Sequence, residues 1–385
     1  MKFKLRILSM LTIAVVMAFS WQLSASDAQG AESSFKVRPY LIYPDHIEQM
    51  TLLWQTHDTP GSTTIQWGET DSYGSQSSEA TPFGKHQFKY NITGLKPDTR
   101  YFYKVTVDGE EKTGFFKSAP RPEKKVLTFY ALGDTRFGLS KTGKTDPLAK
   151  LMLEDINQSL DKNTFCLHGG DWGGFAGDFF SPKQVHLQEI TSRLPIMGCC
   201  GNHDGKSFGE YYPYKDTDVN GRGNHTFEYG PVFVICCNTT NPDSKHGQWI
   251  AGELKKSEKK IKIVVMHHPG WSAYAKKNKG TTRQMQSMFE KHGVTMVITG
   301  HAHVFSRSMV NGMPHITFGS GSPTRTVDLK LPNVEVAEAG YHYLRVDVFE
   351  TYLETSVYRL DGTNVDTLKI NLEKVDLDKA DEISE

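Results

Sequence analysis

The strongest constraint on the fold is a pattern that recurs five times after the first third of the chain. A short apolar run ends in a carboxylate, carboxamide or imidazole side chain, in nearly every case next to glycine. The length and β-branched content of these runs are typical of buried strands. The polar residues at their ends are, in chain order, Asp134; Asp171; Asn202 with His203 and Asp204; His267 with His268; and His301 with His303.

These strand ends predict a metal centre. Ligands of open α/β sheets collect outside the carboxyl ends of the strands, so the five sets are expected at one edge. The set offers carboxylate, amide oxygen and imidazole but no thiolate, which suits Mn, Fe or Zn. His301 and His303 taken alone could also be two unrelated loop histidines. In an extended backbone, however, residues two apart point to the same side, which would aim both rings at one point.

Residues 35–120 show a different pattern of predicted secondary structure. Short alternating segments such as TTIQWGE and YFYKVTV predict strands, and Asp108-Gly109 predicts a tight turn between two of them. Strands at this spacing favour a β-sandwich of the immunoglobulin or fibronectin type III kind. The sequence Ala119-Pro120-Arg121-Pro122 predicts a stiff linker after it.

From residue 124 to residue 372 the predicted elements follow the order strand, loop, helix. Asp146-Pro147 and Ser181-Pro182 are typical helix starts, and a further helix is expected over about 281–291. The late segments YHYLRVDVF and LETSVYRL predict additional strands. The fold class expected is therefore an all-β sandwich followed by a layered α/β domain.

The two ends of the chain predict segments outside these domains. Lys2, Lys4 and Arg6 precede an apolar run of about 15 residues and then small residues, the layout of a cleaved signal peptide over residues 1–28. An uncleaved anchor is the alternative, but the run is short for a span of about 20 residues. A periplasmic or secreted protein is expected, and the acidic tail 373–385 is expected to be solvated.

Charge and cysteine content limit the function further. Lys plus Arg and Asp plus Glu both number 44, which argues against a nucleic-acid or membrane-surface protein. The number of cysteines is odd, and their spacing matches neither a disulfide framework nor a thiolate zinc site. Buried thiols are expected, with a bridge between Cys199-Cys200 and Cys236-Cys237 as the open alternative.

The motif order resembles a known family. The blocks G-D-x-R, G-G-D, G-N-H-D, V-x-x-H-H-P and G-H-x-H occur in this order over about 170 residues, as in the calcineurin-like metallophosphoesterases. With the preceding sandwich, the chain is similar to the purple acid phosphatase branch. The resemblance implies two metal ions, with Asp171 bridging them, Asp134 and His303 at the first, and Asn202, His267 and His301 at the second.

The same resemblance implies the chemistry. Two metal ions about 3.5–4 Å apart would bind a phosphoryl oxygen and acidify a bridging water, whose hydroxide attacks phosphorus. His203, with Asp204 beside it, would be the unliganded histidine that protonates the leaving group. The expected activity is hydrolysis of phosphate monoesters. A phosphodiesterase, or a non-catalytic binding protein that keeps the fold, is the alternative.

Two positions depart from the family pattern. Where the general family has histidine two residues after the first aspartate, this chain has Arg136; where the purple enzymes have tyrosine three residues after the bridging aspartate, it has Gly174. A weaker first metal and no purple colour are therefore expected. Arg136 could clamp phosphate with its planar fork, or form an ion pair at the surface or with residues that support the metal ligands. His268 is expected to support the substrate or the metal ligands.

Overall fold

The structure is a computed structural model that describes residues 33–74, 78–136, 142–173, 179–205, 208–214 and 223–372. The predicted signal peptide, the acidic tail and Gly174 lie outside these residues. No helix in the described ranges is long and apolar enough to cross a membrane.

The first part of the chain forms two antiparallel sheets of four strands each. One contains, in spatial order, β1 (Phe35–Ile42), β2 (Gln49–Thr56), β6 (Gln87–Thr93) and β5 (Thr81–Gly84). The other contains β4 (Ser78–Glu79), β3 (Thr63–Gly68), β7 (Arg100–Val107) and β8 (Glu110–Lys117). Every second residue of β7 is buried, as the alternating pattern of the sequence predicts. The predicted sandwich is therefore present.

The remainder contains two mixed sheets. The six-stranded sheet has the order β11 (Ile196–Gly198), β10 (Asn163–His168), β9 (Leu127–Leu132), β19 (His342–Val348), β20 (Tyr352–Arg359), β21 (Asn364–Asn371). The seven-stranded sheet has the order β12 (His225–Tyr229), β13 (Val232–Cys237), β14 (Ile261–Met266), β15 (Met296–Thr299), β17 (Met313–Thr317), β16 (Phe305–Val310), β18 (Val334–Glu338). The strands whose ends carry the candidate ligands run parallel within each sheet.

Helices accompany these sheets. They are α1 (Thr145–Gln158), α2 (Val185–Thr191), α3 (Phe208–Tyr211), α4 (Ser244–Lys256), α5 (Gly280–Gln284) and α6 (Gln286–Lys291). Helix α4 was not predicted from the sequence, although Asp243 caps it by accepting a hydrogen bond from the backbone N–H of His246 at 2.8 Å. The helix expected over 281–291 is divided at Met285 into α5 and α6.

The sandwich and the α/β part share one continuous apolar core. The ring of Tyr40 packs on that of Phe180 at 4.4 Å, and its hydroxyl donates to the carbonyl of Tyr211 at 2.6 Å. The hydroxyl of Tyr103 donates to the carbonyl of Ser192 at 2.8 Å. The sandwich therefore supports the α/β part by direct packing rather than only through the linker.

All five cysteines are buried free thiols. Burial raises the pKa of the Cys166 thiol and of the Cys237 thiol, so both stay protonated at neutral pH. The bridge that the spacing left open is not formed, and the cysteines act as small core residues.

Candidate metal centre

The candidate ligands lie just beyond the ends of the parallel strands, in unusual backbone conformations. Asp134, Asp171, His301 and His303 have φ values of 52°, 58°, 65° and 54°, the left-handed region that residues other than glycine rarely adopt. Such strain is characteristic of functional sites, where the surrounding structure enforces it. The positive φ values turn each side chain out of the line of its strand.

This geometry corrects the reason given for aiming His301 and His303 together. β15 ends at Thr299, so the two residues are not part of an extended segment. The ring of His301 contacts His267, whereas the ring of His303 contacts Asp134. The two histidines therefore serve two neighbouring clusters rather than one point.

Two glycines are required by close approach. A Cβ atom at Gly300 would lie 2.4 Å from Oδ2 of Asp134, and a Cβ atom at Gly201 would lie 2.3 Å from the backbone nitrogen of Asp171. Real Cβ atoms do not approach so closely. The glycines of the sequence pattern thus let the strand ends meet.

The second-metal residues of the sequence analysis converge on Nε2 of His267. This nitrogen is 3.1 Å from Oδ1 of Asn202, 3.2 Å from Nδ1 of His301 and 3.4 Å from Oδ1 of Asp171. Nδ1–H of His267 donates to the carbonyl of Gly169 at 2.9 Å, which leaves the lone pair of Nε2 facing the other atoms. The Nε2 lone pair of His267 then faces the carboxamide oxygen of Asn202. A cation between these two electron-rich atoms would relieve their repulsion. We call these four residues the second cluster.

The first cluster contains Asp134, Asp171 and His303, whose ligand atoms lie within 4.8 Å of one another. His303 Nε2 is 3.3 Å from Oδ1 of Asp134, and its Nδ1–H donates to the carbonyl of Pro323 at 3.0 Å. Oδ2 of Asp134 accepts from the backbone N–H of His301, and Oδ1 of Asp171 from that of His203. The other oxygens, Asp134 Oδ1 and Asp171 Oδ2, are buried without a hydrogen-bond partner.

Both clusters fit metal ions. Buried carboxylate oxygens without partners are costly unless a cation compensates them. Burial raises the pKa of Asp171 to about 6. For Asp134, burial alone would raise the pKa, but the neighbouring rings of His303 and His267 and the backbone N–H of His301 lower it overall. Asp171 belongs to both clusters, since its Oδ1 lies 3.4 Å from Nε2 of His267 and it is grouped with Asp134 and His303 in the first cluster, which matches the predicted two-metal arrangement.

Comparison with protein families agrees with this arrangement. Residues 127–305 match the model "Calcineurin-like phosphoesterase", and residues 37–119 match "Purple acid Phosphatase, N-terminal domain". The chain belongs to the calcineurin-like metallophosphoesterases and carries the purple acid phosphatase N-terminal domain. The two matches coincide with the sandwich and with the strands that carry both clusters.

Individual members of the family are distant relatives. The chain is 26% identical over 316 residues to purple acid phosphatase 18 of Arabidopsis thaliana, which covers 71% of this chain and 68% of that protein. It is 22% identical to purple acid phosphatase 23 of the same plant, and this match covers 62% of the chain and 63% of the relative. The chain thus spans about two thirds of these relatives.

Solved structures show the same fold. Purple acid phosphatase PPD1 from yellow lupin seeds superposes with a TM-score of 0.72 at 17% identity, covering 86% of this chain and 74% of that one. A structure of PhoD superposes with a TM-score of 0.66 at 12% identity, covering 91% and 94%. The predicted architecture of a β-sandwich followed by two mixed sheets with helices is confirmed.

Arg136, the departure from the metallophosphoesterase pattern, lies inside the centre. Its Nε is 3.6 Å from Oδ2 of Asp171, the residue that the two clusters share. The side chain is buried, and burial lowers its pKa although Asp171 and Asp134 act in the opposite direction. Its backbone N–H donates to the carbonyl of Asp171 at 3.1 Å. Arg136 therefore places a guanidinium beside the first cluster, where the family pattern has histidine.

His203 and Asp204, the predicted catalytic pair, differ in their surroundings. The side chain of His203 is exposed at the edge of the centre, consistent with an unliganded histidine that reaches substrate. Asp204 is buried, and its two oxygens accept backbone N–H groups of Gly201, Asp171, Trp172 and Gly173. Asp204 therefore acts as a positioning residue that holds the loop of the bridging aspartate, a function that the sequence did not indicate.

His268 lies against the second cluster. A ligand nitrogen of His268 is within 4.8 Å of those of His267 and His301, and its Nδ1 pairs with Oγ1 of Thr239 at 2.9 Å. Burial, followed by the charge of His267, lowers the pKa of the His268 ring to about 3. The ring is thus neutral and can act either as a further ligand or as support for the others.

Other aromatic and imidazole side chains near the motifs belong to the core. Trp172 is buried, donates from Nε1 to the carbonyl of Cys199 at 2.8 Å and stacks on His168 with 3.8 Å between the ring centres. Trp172 is therefore a core residue. His168, His246 and His315 are buried and bonded to neighbouring side chains. They are therefore structural residues of the core.

A cleft of about 260 Å³ opens beside the second cluster. Its wall combines Asn202 and Asp204 with the neutral polar side chains of Asn238, Thr240 and Asn241. The predicted acid His203 lies between the wall residues Asn202 and Asp204 in the sequence.

Proposed function

We propose that the chain is an exported metal-dependent phosphoesterase that hydrolyses phosphate monoesters. The observation that carries the proposal is the meeting of the two clusters at Asp171, whose carboxylate belongs to both. Two metal ions held there would bind phosphoryl oxygen and lower the pKa of a water molecule, so no protein nucleophile is needed. Export rests on the predicted signal peptide alone.

Each candidate residue has its own proposed role in this reaction. Asp134 and His303 would hold the first ion, Asn202, His267 and His301 the second, and Asp171 both. His203 would protonate the departing alkoxide, since its side chain is exposed beside the cleft. Arg136 would face the non-bridging phosphoryl oxygens, for which its buried fork is suited.

The metal ions are proposed to be Fe, Mn or Zn, with the first held more weakly. The donor set contains only carboxylate, carboxamide and imidazole, which these ions accept. Arg136 adds positive charge at the first cluster and supplies no ligand there. Without a tyrosine at position 174, no charge-transfer colour is expected.

Parallel assays with an aryl phosphate and a bis-aryl phosphate test this function. The metal-loaded protein should hydrolyse the monoester with the higher kcat/KM, and the metal-free protein should hydrolyse neither. A higher kcat/KM on the diester would overturn the monoester assignment and favour a phosphodiesterase, while leaving the metal centre in place.

The second candidate is a binding protein that keeps the fold without turnover. The position of Arg136 favours it, because a guanidinium beside Asp171 could replace the first metal ion. Metal analysis separates the two candidates. Less than one transition metal ion per chain after reconstitution with Mn, Zn and Fe would favour the binding protein.

A further inference from the structure

Two loops beside the metal clusters carry basic side chains that the proposed reaction does not use. One loop follows His268 and includes the 3₁₀ turn Ala275–Lys277; the other follows β17. Lys279 donates its backbone N–H to the carbonyl of Pro269 at 2.8 Å, and Arg325 donates its own to the carbonyl of His303 at 3.3 Å. The loops are thus fixed to the segments that carry the metal ligands.

The two loops are also joined to each other. The backbone N–H of Asp328 donates to the carbonyl of Ala273 at 2.8 Å, and the guanidinium carbon of Arg325 lies 5.3 Å from the centre of the Tyr274 ring. Cation–π stacking of this kind holds an arginine in one orientation. Nε of Arg325 is nevertheless buried without a hydrogen-bond partner. The guanidinium of Arg325 is therefore held in place, and its buried Nε–H donor has no acceptor among the described residues.

Lys277 and Arg325 both contact Tyr274, because the backbone N–H of Lys277 donates to the Tyr274 carbonyl at 3.0 Å and Arg325 stacks on the Tyr274 ring, and Lys279 follows two residues after Lys277. Burial lowers the pKa of Lys277, and the charges of Arg325 and Lys279 lower it further, while Asp171 and Asp134 raise it. Within the described ranges, none of the three forms an ion pair shorter than 4.0 Å. Cations brought together without a counter-ion cost free energy, which an anionic ligand would recover.

The cluster also borders the metal ligands. Arg325 donates its backbone N–H to the carbonyl of His303 in the first cluster, and Lys279 donates its own to Pro269, which follows His267 and His268 in the chain. The positive charges of Lys277, Lys279 and Arg325 are therefore within reach of a molecule bound at the two metal clusters.

We propose that Lys277, Lys279 and Arg325 form a subsite for a second anionic group of the substrate, a carboxylate or a further phosphate, next to the phosphate that is hydrolysed. The preferred substrates are then phosphate monoesters that carry a second negative charge. The proposal rests on the proposed function for the position of the first phosphate. The planar fork of Arg325 and the ammonium groups of the lysines suit such an anion.

Two phosphonates that cannot be hydrolysed test the subsite. Phosphonoacetate and ethylphosphonate share the phosphonate group and differ by a carboxylate in place of a methyl group. Isothermal titration of the metal-reconstituted full chain should give phosphonoacetate a Kd about tenfold lower or more, because it adds charge-assisted hydrogen bonds. Equal Kd values for the two ligands would overturn the proposal.

Variants separate the subsite from chelation of the metal by the carboxylate. Lys277→Gln and Arg325→Gln should each reduce the ratio of the two Kd values several-fold, whereas chelation would persist in both. Lys276→Gln is the matched control, because this neighbouring lysine is exposed on the same turn and should keep the ratio. Variants that weaken both ligands equally would show that the cations bind the first phosphate, and would also overturn the proposal.

Hydrolysis of an aryl phosphate, measured on the same samples, distinguishes the two levels of inference. Hydrolysis with a Kd ratio near one would refute the subsite and leave the proposed function standing. A high ratio that depends on Lys277 and Arg325, without any hydrolysis, would support the anion subsite and refute the proposed function.

Discussion

Replacing Arg136 by histidine should tighten metal binding at the first cluster. The substitution removes a guanidinium whose Nε lies 3.6 Å from Oδ2 of Asp171, and it introduces an imidazole where the family pattern has one. The wild-type chain should therefore bind two metal ions with unequal affinity, and the variant should reduce the difference.

The structure sets the size of the effect. A metal ion bound to Oδ2 of Asp171 at about 2.1 Å would lie within about 6 Å of Nε of Arg136. Repulsion between a unit charge and a divalent ion at about 6 Å is about 1.4 kcal/mol at the dielectric constant of water and about 5 kcal/mol at an effective value of about 20. Each 1.4 kcal/mol corresponds to about a factor of ten in Kd. The weaker Kd should thus fall at least about tenfold in the variant.

Titration of Mn²⁺ or Zn²⁺ into the metal-free full chain, with a competing chelator, measures both affinities. Arg136→Met is the matched control, because it removes the charge without adding a ligand and should give part of the gain. Turnover is measured separately, since a loss of phosphate contacts could slow the variant even as its metal binding tightens.

Two results would refute this reasoning. The first is a wild-type chain with two equally tight sites, which would require a ligand outside the first cluster. Tyr211 and Tyr214 are poor candidates, because their hydroxyls donate to Gln55 and to the carbonyl of Ile196. The second is an Arg136→His variant whose weaker Kd is unchanged.

Further predictions concern the acid, the loop, the sandwich and the pH dependence. His203→Ala should keep both metal ions but slow hydrolysis by about 10²–10⁴-fold, least for good leaving groups; loss of a metal ion in atomic spectrometry would show that His203 is a ligand. Asp204→Ala should leave up to four backbone N–H groups without an acceptor and lower the free energy of unfolding by about 3 kcal/mol or more, measured by urea denaturation; a wild-type midpoint would contradict the positioning role. The fragment 124–385 should bind a hydrophobic dye and lack near-UV circular dichroism because it exposes the shared core; a natively folded fragment without hydrolysis would instead place part of the active site in the sandwich. Burial lowers the pKa of His225 to about 3 and that of His315 to about 4, below the ordinary value of 6.5. The unfolded chain therefore binds more protons below pH 6.5, and each histidine should cost the metal-free protein about 2 kcal/mol of unfolding free energy between pH 7 and pH 5. Urea denaturation at both pH values should show this loss, and His225→Gln should reduce it; an unchanged pH dependence would contradict the assignment.

The sequence predicted which strand ends carry the candidate ligands, but it did not predict the backbone geometry of those ligands. Each ligand-bearing segment could be recognised because a buried parallel strand reads as a continuous apolar run that ends abruptly at a glycine. The spacing of His301 and His303 wrongly suggested that both rings aim at one point, since left-handed backbone conformations are not encoded by an H-x-H pattern.

Features that depend on tertiary contacts were not predictable. The backbone acceptor role of Asp204 requires four N–H groups from two separate loops to converge. The run Lys276-Lys277-Asn278-Lys279 was visible as a basic segment, but only the fold brings it to Arg325. The sequence Ala119-Pro120 was read as a linker, although both residues are buried within the structure.

The two clusters that meet at Asp171 are proposed to hold metal ions that make the chain a hydrolase. The most direct measurement is a titration of metal into the metal-free protein, in which bound metal per chain and the rate of 4-nitrophenyl phosphate hydrolysis are recorded on each sample. We expect no hydrolysis without metal. The rate should rise with the number of metal ions bound per chain and should continue to rise as the weaker first site fills. Hydrolysis that is independent of bound metal, or none at full occupancy of both sites, would contradict this proposal.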